Sequence, residues 1–81
     1  MFSGVAMDPE FEKYVNNPLW PILVEAVHTI VMYPYHKAYA ADNLLSQKPD
    51  ITPRETATKM GISLGEALVI LYELQKKDEK T

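Results

Sequence analysis

The side chains with the most chemistry gather near the middle of the 81-residue chain, in the run Tyr33-Pro34-Tyr35-His36-Lys37-Ala38-Tyr39. Three phenols, an imidazole and an ammonium around a proline bend suit a stacking platform for a nucleobase or a recognition patch for a partner, because tyrosine supplies contact area at small entropic cost. The same residues also fit the gaps of a helix junction, with their hydroxyls turned to water or backbone. A nucleic-acid platform needs several nearby cations, and only Lys37 is close in sequence. Packing at a junction is therefore the favoured reading of Tyr33, Tyr35, His36 and Tyr39. A small-molecule pocket under Tyr33, Tyr35 and Tyr39 is the other chemistry the run offers.

Elsewhere the reactive residue types are scattered. His28 and His36 are the two histidines, eight positions apart across an expected helix break, with no cysteine and no third ligand at a metal-like spacing, so no metal site is expected. Ser3, Ser46 and Ser63 lack a partnered histidine in recognisable context. Glu10, Glu12, Glu25, Glu55 and Glu66 read as helix-dipole partners or surface charge, and Gly4, Gly61 and Gly65 do not form a phosphate loop. Neither an enzyme nor a cofactor is expected.

Composition narrows the class. Apolar residues make up 47% and charged residues 23%, the range of a globular protein rather than a disordered or low-complexity one. The absence of cysteine removes disulfides and thiolate zinc sites and suits a reducing compartment, so the expected location is cytoplasmic. A net charge of -3 has the wrong sign for a domain built to hold phosphates on a broad basic face. The longest apolar stretch, Leu19 to Met32, is interrupted by Glu25 and His28 and is too short for a bilayer span, so no membrane is expected as a partner. Residues 1–7 carry no basic secretory signature and read as a flexible leader ahead of a single helical domain over 8–81.

Helix signals dominate that domain. Asp8-Pro9-Glu10 supplies an N-cap acceptor, a proline at the first helical position and an acid at the positive end of the dipole, which starts a short helix to about Asn16. Asn17-Pro18 repeats the signal. From there Leu19, Ile22, Leu23, Ala26, Val27, Ile30 and Val31 form one broad stripe at helical spacing, predicting a second helix to Met32 that ends at the Tyr33-Pro34 step. A third helix is expected from Tyr35 to Ser46, followed by the polar loop Gln47 to Asp50. Thr52-Pro53-Arg54-Glu55 is a capping box that opens a fourth helix, which Gly61 closes. Ser63-Leu64-Gly65-Glu66 is a second capping box and opens a fifth helix to about Lys77. With no convincing strand and no repeat, the fold class is all-α, a compact bundle of about five helices.

The segment Ile51 to Ala67, extended to 77, resembles the helix-turn-helix of winged-helix transcription regulators. Ala57 is small where the two helices cross, Gly61 makes the turn, Ile62 plugs the angle between them, and Leu71 and Leu74 continue the buried stripe. The resemblance covers roughly a third of the chain and implies a DNA-binding regulator, with Lys48, Arg54, Lys59 and Ser63 around the turn as the phosphate-holding residues.

Departures from the family pattern argue for a different partner. Groove-reading positions early in the second helix normally carry polar side chains, yet here they are Leu64, Gly65, Glu66, Leu68 and Val69. Little chain follows this helix to form a wing. The fifth helix is apolar nearly all round, and such a helix is normally buried on more than one side. Leu64, Leu68, Val69, Ile70 and Tyr72 are therefore expected to form a protein interface; the contrary expectation is that the second and first helices cover them within one chain. The function expected from sequence is a small helix-turn-helix-like protein-interaction module, acting as a homodimer or with another protein in a regulatory or scaffold role, with nucleic acid the disfavoured partner.

Overall fold

A computed structural model describes residues 9–80 of the chain, with side chains placed for 11–75. The described residues are all-helical: α1 (Pro9–Val15), α2 (Trp20–His28), α3 (Tyr33–Tyr39), a π-helical segment (Ala40–Leu45), α4 (Pro53–Met60) and α5 (Leu64–Lys80). The expected leader and the Asp8 cap lie outside the described residues.

The C-terminal pair follows its local signals closely. Thr52 Oγ1 accepts from the Glu55 amide at 3.1 Å while the Glu55 carboxylate accepts from the Thr52 amide at 3.0 Å, so the reciprocal box that opens α4 is complete. Pro53 follows, where its missing donor costs nothing. Gly61 closes the helix at φ 68°, a left-handed conformation that side chains with a Cβ adopt at a cost, and its amide reaches the Ala57 carbonyl. Ile62 donates to the same carbonyl and Ser63 then starts α5. The second box is only half formed: Ser63 Oγ accepts from the Glu66 amide at 3.0 Å, whereas the Glu66 side chain turns to His36.

The middle of the chain departs further from the sequence-based expectation. α2 ends at His28, four residues short of Met32, with Thr29 Oγ1 bonded to the Ala26 carbonyl at 2.6 Å. Pro34 lies in the first turn of α3 rather than ahead of it; Tyr33 is already helical, because proline at the second helical position removes only a donor that has no partner there. The expected third helix changes register at Ala40 and winds on as six residues of π-helix. Wider turns disturb the regular backbone ladder, and polar side chains occupy carbonyls here: Asn43 donates to the Tyr39 carbonyl and Ser46 to that of Asp42.

These elements are arranged around α5, which packs against α2, α3 and α4. Six consecutive residues, Glu66 to Leu71, are buried, and Ala67, Val69, Ile70 and Leu71 have no exposed surface. A helix buried through more than a full turn is enclosed on every side. Its wrap comprises Phe11 of α1, Trp20 and Val27 of α2, Tyr33 of α3, Ala40 of the π segment and Ile51 before α4. Trp20 meets the ring of Tyr72 edge-on at 5.4 Å, and a Cβ on Gly65 would come within 3.2 Å of Leu23, so α2 lies close along the start of α5. We expect Val69→Lys to abolish the cooperative thermal transition in circular dichroism, since burying an unpaired ammonium costs upward of about 4 kcal/mol, comparable to the whole stability of a small domain.

Candidate functional site

Two carboxylates on α5 organise the polar chemistry. Glu66 and Glu73 are seven residues apart, two helical turns, and therefore share a face. Glu66 is buried at 4% exposure and accepts from His36 Nδ1 at 2.7 Å. Glu73 gathers three groups: His28 Nε2 at 2.8 Å, the Tyr33 hydroxyl at 2.5 Å and Lys37 Nζ at 3.1 Å. The Lys37 ammonium also lies 5.8 Å from the centre of the Tyr33 ring, and the His28 and Tyr33 rings are 5.3 Å apart. One carboxylate thus ties the C-terminal end of α2 and the first turns of α3 to the central helix.

The electrostatics of this node follow from its partners. Burial pushes the Glu73 carboxyl upward, but hydrogen bonds from Tyr33, Lys37 and His28 outweigh that penalty and leave it below the ordinary carboxylate value. Burial, followed by the hydrogen bond to Glu73 and the repulsion of its charge, holds the Tyr33 phenol far above its ordinary value, so it remains a neutral donor. At the other end of the chain's polar surface, the hydrogen bond from the Thr52 amide, with the Lys48 ammonium, lowers the Glu55 carboxyl, and Glu55 in turn raises Lys48.

Beside the Glu66–His36 pair lies a hollow of about 330 Å³ lined by Tyr35, His36, Tyr39, Lys59 and Met60. α3 contributes the two tyrosines and the histidine, and the end of α4 the lysine and methionine. Tyr35 and Tyr39 are exposed at 67% and 51%. Because a carboxylate only accepts, His36 Nδ1 must be the donor to Glu66, which fixes the ring and leaves Nε2 without a partner among the described residues. A neighbouring hollow of about 340 Å³ is lined by Arg54, Glu55, Thr58 and Lys59.

The run of aromatic residues is therefore split between two roles. Tyr33 is buried and turned to Glu73, so it lies outside the hollow that the sequence placed under Tyr33, Tyr35 and Tyr39; Tyr35, His36 and Tyr39 do line one together. The expected interface on α5 requires correction. Leu68, Val69 and Ile70 are enclosed at 3%, 0% and 0% exposure and offer no surface to another chain, while Leu64 and Tyr72 are half-buried against the same core. The physical reason is that α1, α2 and α3 supply the enclosing surface. At the turn the Gly61 and Ile62 amides both donate to the Ala57 carbonyl, Leu71 is buried and Leu74 is half-buried against the core.

The residues expected to hold phosphate are dispersed in role. Lys48 is paired with Glu55 at 3.0 Å, Ser63 caps α5, Arg54 is exposed on α4, and Lys59 borders both hollows without an ion pair among the described residues. The described residues contain no group of three or more histidine, cysteine or acidic side chains placed to hold a metal. No described helix is long and apolar enough to cross a membrane.

Sequence reasoning missed Glu73 altogether and read Glu66 as a cap. The available signal was their spacing: two acids seven apart on the otherwise apolar circumference of α5 must meet cations or donors, and His28, Tyr33, His36 and Lys37 are the nearby supply. Comparison with known proteins finds no matching family model, no similar curated protein and no similar solved structure.

Glu73→Gln is expected to lower stability at pH 7 by about 1–3 kcal/mol, the scale of lost charge-assisted hydrogen bonds at a partly buried site. The folded carboxyl titrates below its unfolded value of 4.5, so its contribution is present above that pH and is lost as the pH falls through the folded value. Urea denaturation of both proteins from neutral pH down to about pH 3 should show the gap closing below roughly pH 4.5.

Proposed function

We propose that this chain is a protein-association domain that pairs with a second copy of itself through the outer face of α2. The supporting observation is a stripe of large aliphatic side chains left in water. Ile22, exposed at 61%, and Ala26 lie on the side of α2 away from α5, and Leu19 just before the helix with Ile30 and Val31 just after it extend that exposed apolar surface. The inner side of the same helix carries Trp20, Leu23 and Val27 against the core. α2 is thus the helix with two apolar faces, one of which is unoccupied.

Size and pattern favour a copy of the same chain. The exposed parts of Leu19, Ile22, Ile30, Val31 and Met32 amount to roughly 500 Å², close to the apolar share of the ~800 Å² that each partner contributes to a standard interface. The stripe reads nearly the same from either end. An antiparallel pairing about a twofold axis therefore sets Leu19 beside Ile30 of the partner subunit, with small Ala26 allowing the backbones to approach near the centre. Charge is sparse on this face, Glu25 being the acidic residue of α2. The α4–α5 pair, with its helix-turn-helix-like order, acts in this reading as the scaffold that holds α2 in place.

Sedimentation equilibrium on the full chain between about 10 and 500 μM should show a monomer–dimer equilibrium, and Ile22→Glu should leave only folded monomer with an unchanged far-ultraviolet spectrum. A chain that is monomeric throughout that range, or an Ile22→Glu variant that still dimerises, would sink the proposal.

A further inference from the structure

The hollow between α3 and α4 has an independent significance, since none of its walls belongs to the α2 stripe. We propose that the hollow lined by Tyr35, His36, Tyr39, Lys59 and Met60 is a binding site for a small aromatic carboxylate, a single ring carrying one acid group. Each feature of that ligand class answers a feature of the site.

The ring is called for by the walls. Two phenol rings remain largely in water, and with the Met60 thioether they present flat, polarisable surfaces on which another ring stacks or meets edge-on. The acid group is called for by the cation. Lys59 brings an ammonium to the rim without an ion pair among the described residues, whereas Lys37 and Lys48 are each committed to a glutamate. His36, its ring direction fixed because Nδ1 donates to the buried Glu66, adds a flat wall beside the phenols and not a donor, since Nε2 of the neutral ring carries no hydrogen. A cation, or a neutral amine that protonates on arrival, would instead meet Lys59 with like charge.

The volume of about 330 Å³ lies at the small end of ligand sites, which sets the ligand at one ring rather than a dinucleotide or a lipid. Its walls stand on α3 and α4, two helices that both pack on α5, so the site is formed before the ligand arrives. The short helix α3 supplies side chains, not a helix terminus, to the ligand.

Titration of the isotope-labelled full chain with phenylacetate, followed by NMR, tests the assignment. Saturable shifts are expected at Tyr35, His36, Tyr39, Lys59 and Met60, with a dissociation constant on the order of 1 mM for so small a ligand. Lys59→Gln should weaken binding at least about fivefold and Tyr39→Ala likewise, while Lys13→Gln on α1 leaves it unchanged. Benzylamine and benzyl alcohol, which keep the ring and lose the anion, should bind at least about fivefold more weakly than phenylacetate. No saturable shift up to roughly 20 mM, shifts that map away from these residues, or equal binding of benzylamine and phenylacetate overturns the proposal. Running the same titration on the monomeric Ile22→Glu variant separates the two proposals, because binding there is expected to match the parent whatever the oligomeric state.

Discussion

Everything in this chain is arranged around the need to dehydrate one helix. From Glu66 to Leu71 the surface of α5 is withdrawn from water on all sides, and an 81-residue chain has little polypeptide with which to do that. The wrap therefore draws a buried side chain from each of α1, α2, α3, the π segment and the loop before α4. Apolar burial alone would let these elements slide along a greasy cylinder. Glu66 and Glu73 prevent that, because a carboxylate brought into the interior must find donors at fixed positions. His28, Tyr33 and Lys37 converge on one acid and His36 on the other, which sets both the axial position and the rotation of α2 and α3.

That solution has a consequence at the surface. A thin layer of helices covering a central one turns its inner faces to α5 and has nothing left to cover its own outer faces. On most elements the outer face is polar. On α2 it is aliphatic, and on α3 it carries exposed tyrosines, so the exposed apolar and aromatic side chains lie on the wrapping helices and not on the helix they enclose. The α4–α5 pair is engaged with that layer: the first turn of α5 lies close under Leu23, and the serine that opens it is occupied as a cap.

Local chemistry explains which parts of this arrangement were legible beforehand. The α4–turn–α5 unit is encoded by short-range bonds among Thr52, Pro53, Glu55, Gly61 and Ser63, each readable from spacing alone. The end of α2 was not legible, because its apolar periodicity continues past Thr29 while the chain turns there to bring Tyr33 under Glu73. The π segment has no sequence signature beyond Asn43 and Ser46, residues able to occupy freed carbonyls. Tyr35, His36 and Tyr39 were recognisable as candidates, but Lys59 and Met60 lie twenty or more positions away, and only packing of α3 and α4 on a common helix makes them neighbours.

By itself the sequence determined the helical class, the number of helices, the caps at the C-terminal pair and the presence of more apolar surface than one small core can hold. Those are properties of spacing and of bonds between near neighbours. Only the tertiary structure decided which apolar helix is enclosed and which faces water. α2 and α5 are both apolar on two sides, and hydrophobicity has no direction; the choice falls to the two acids on α5, one buried and one half-buried, which are tolerable only where α2 and α3 deliver their histidines, tyrosine and lysine.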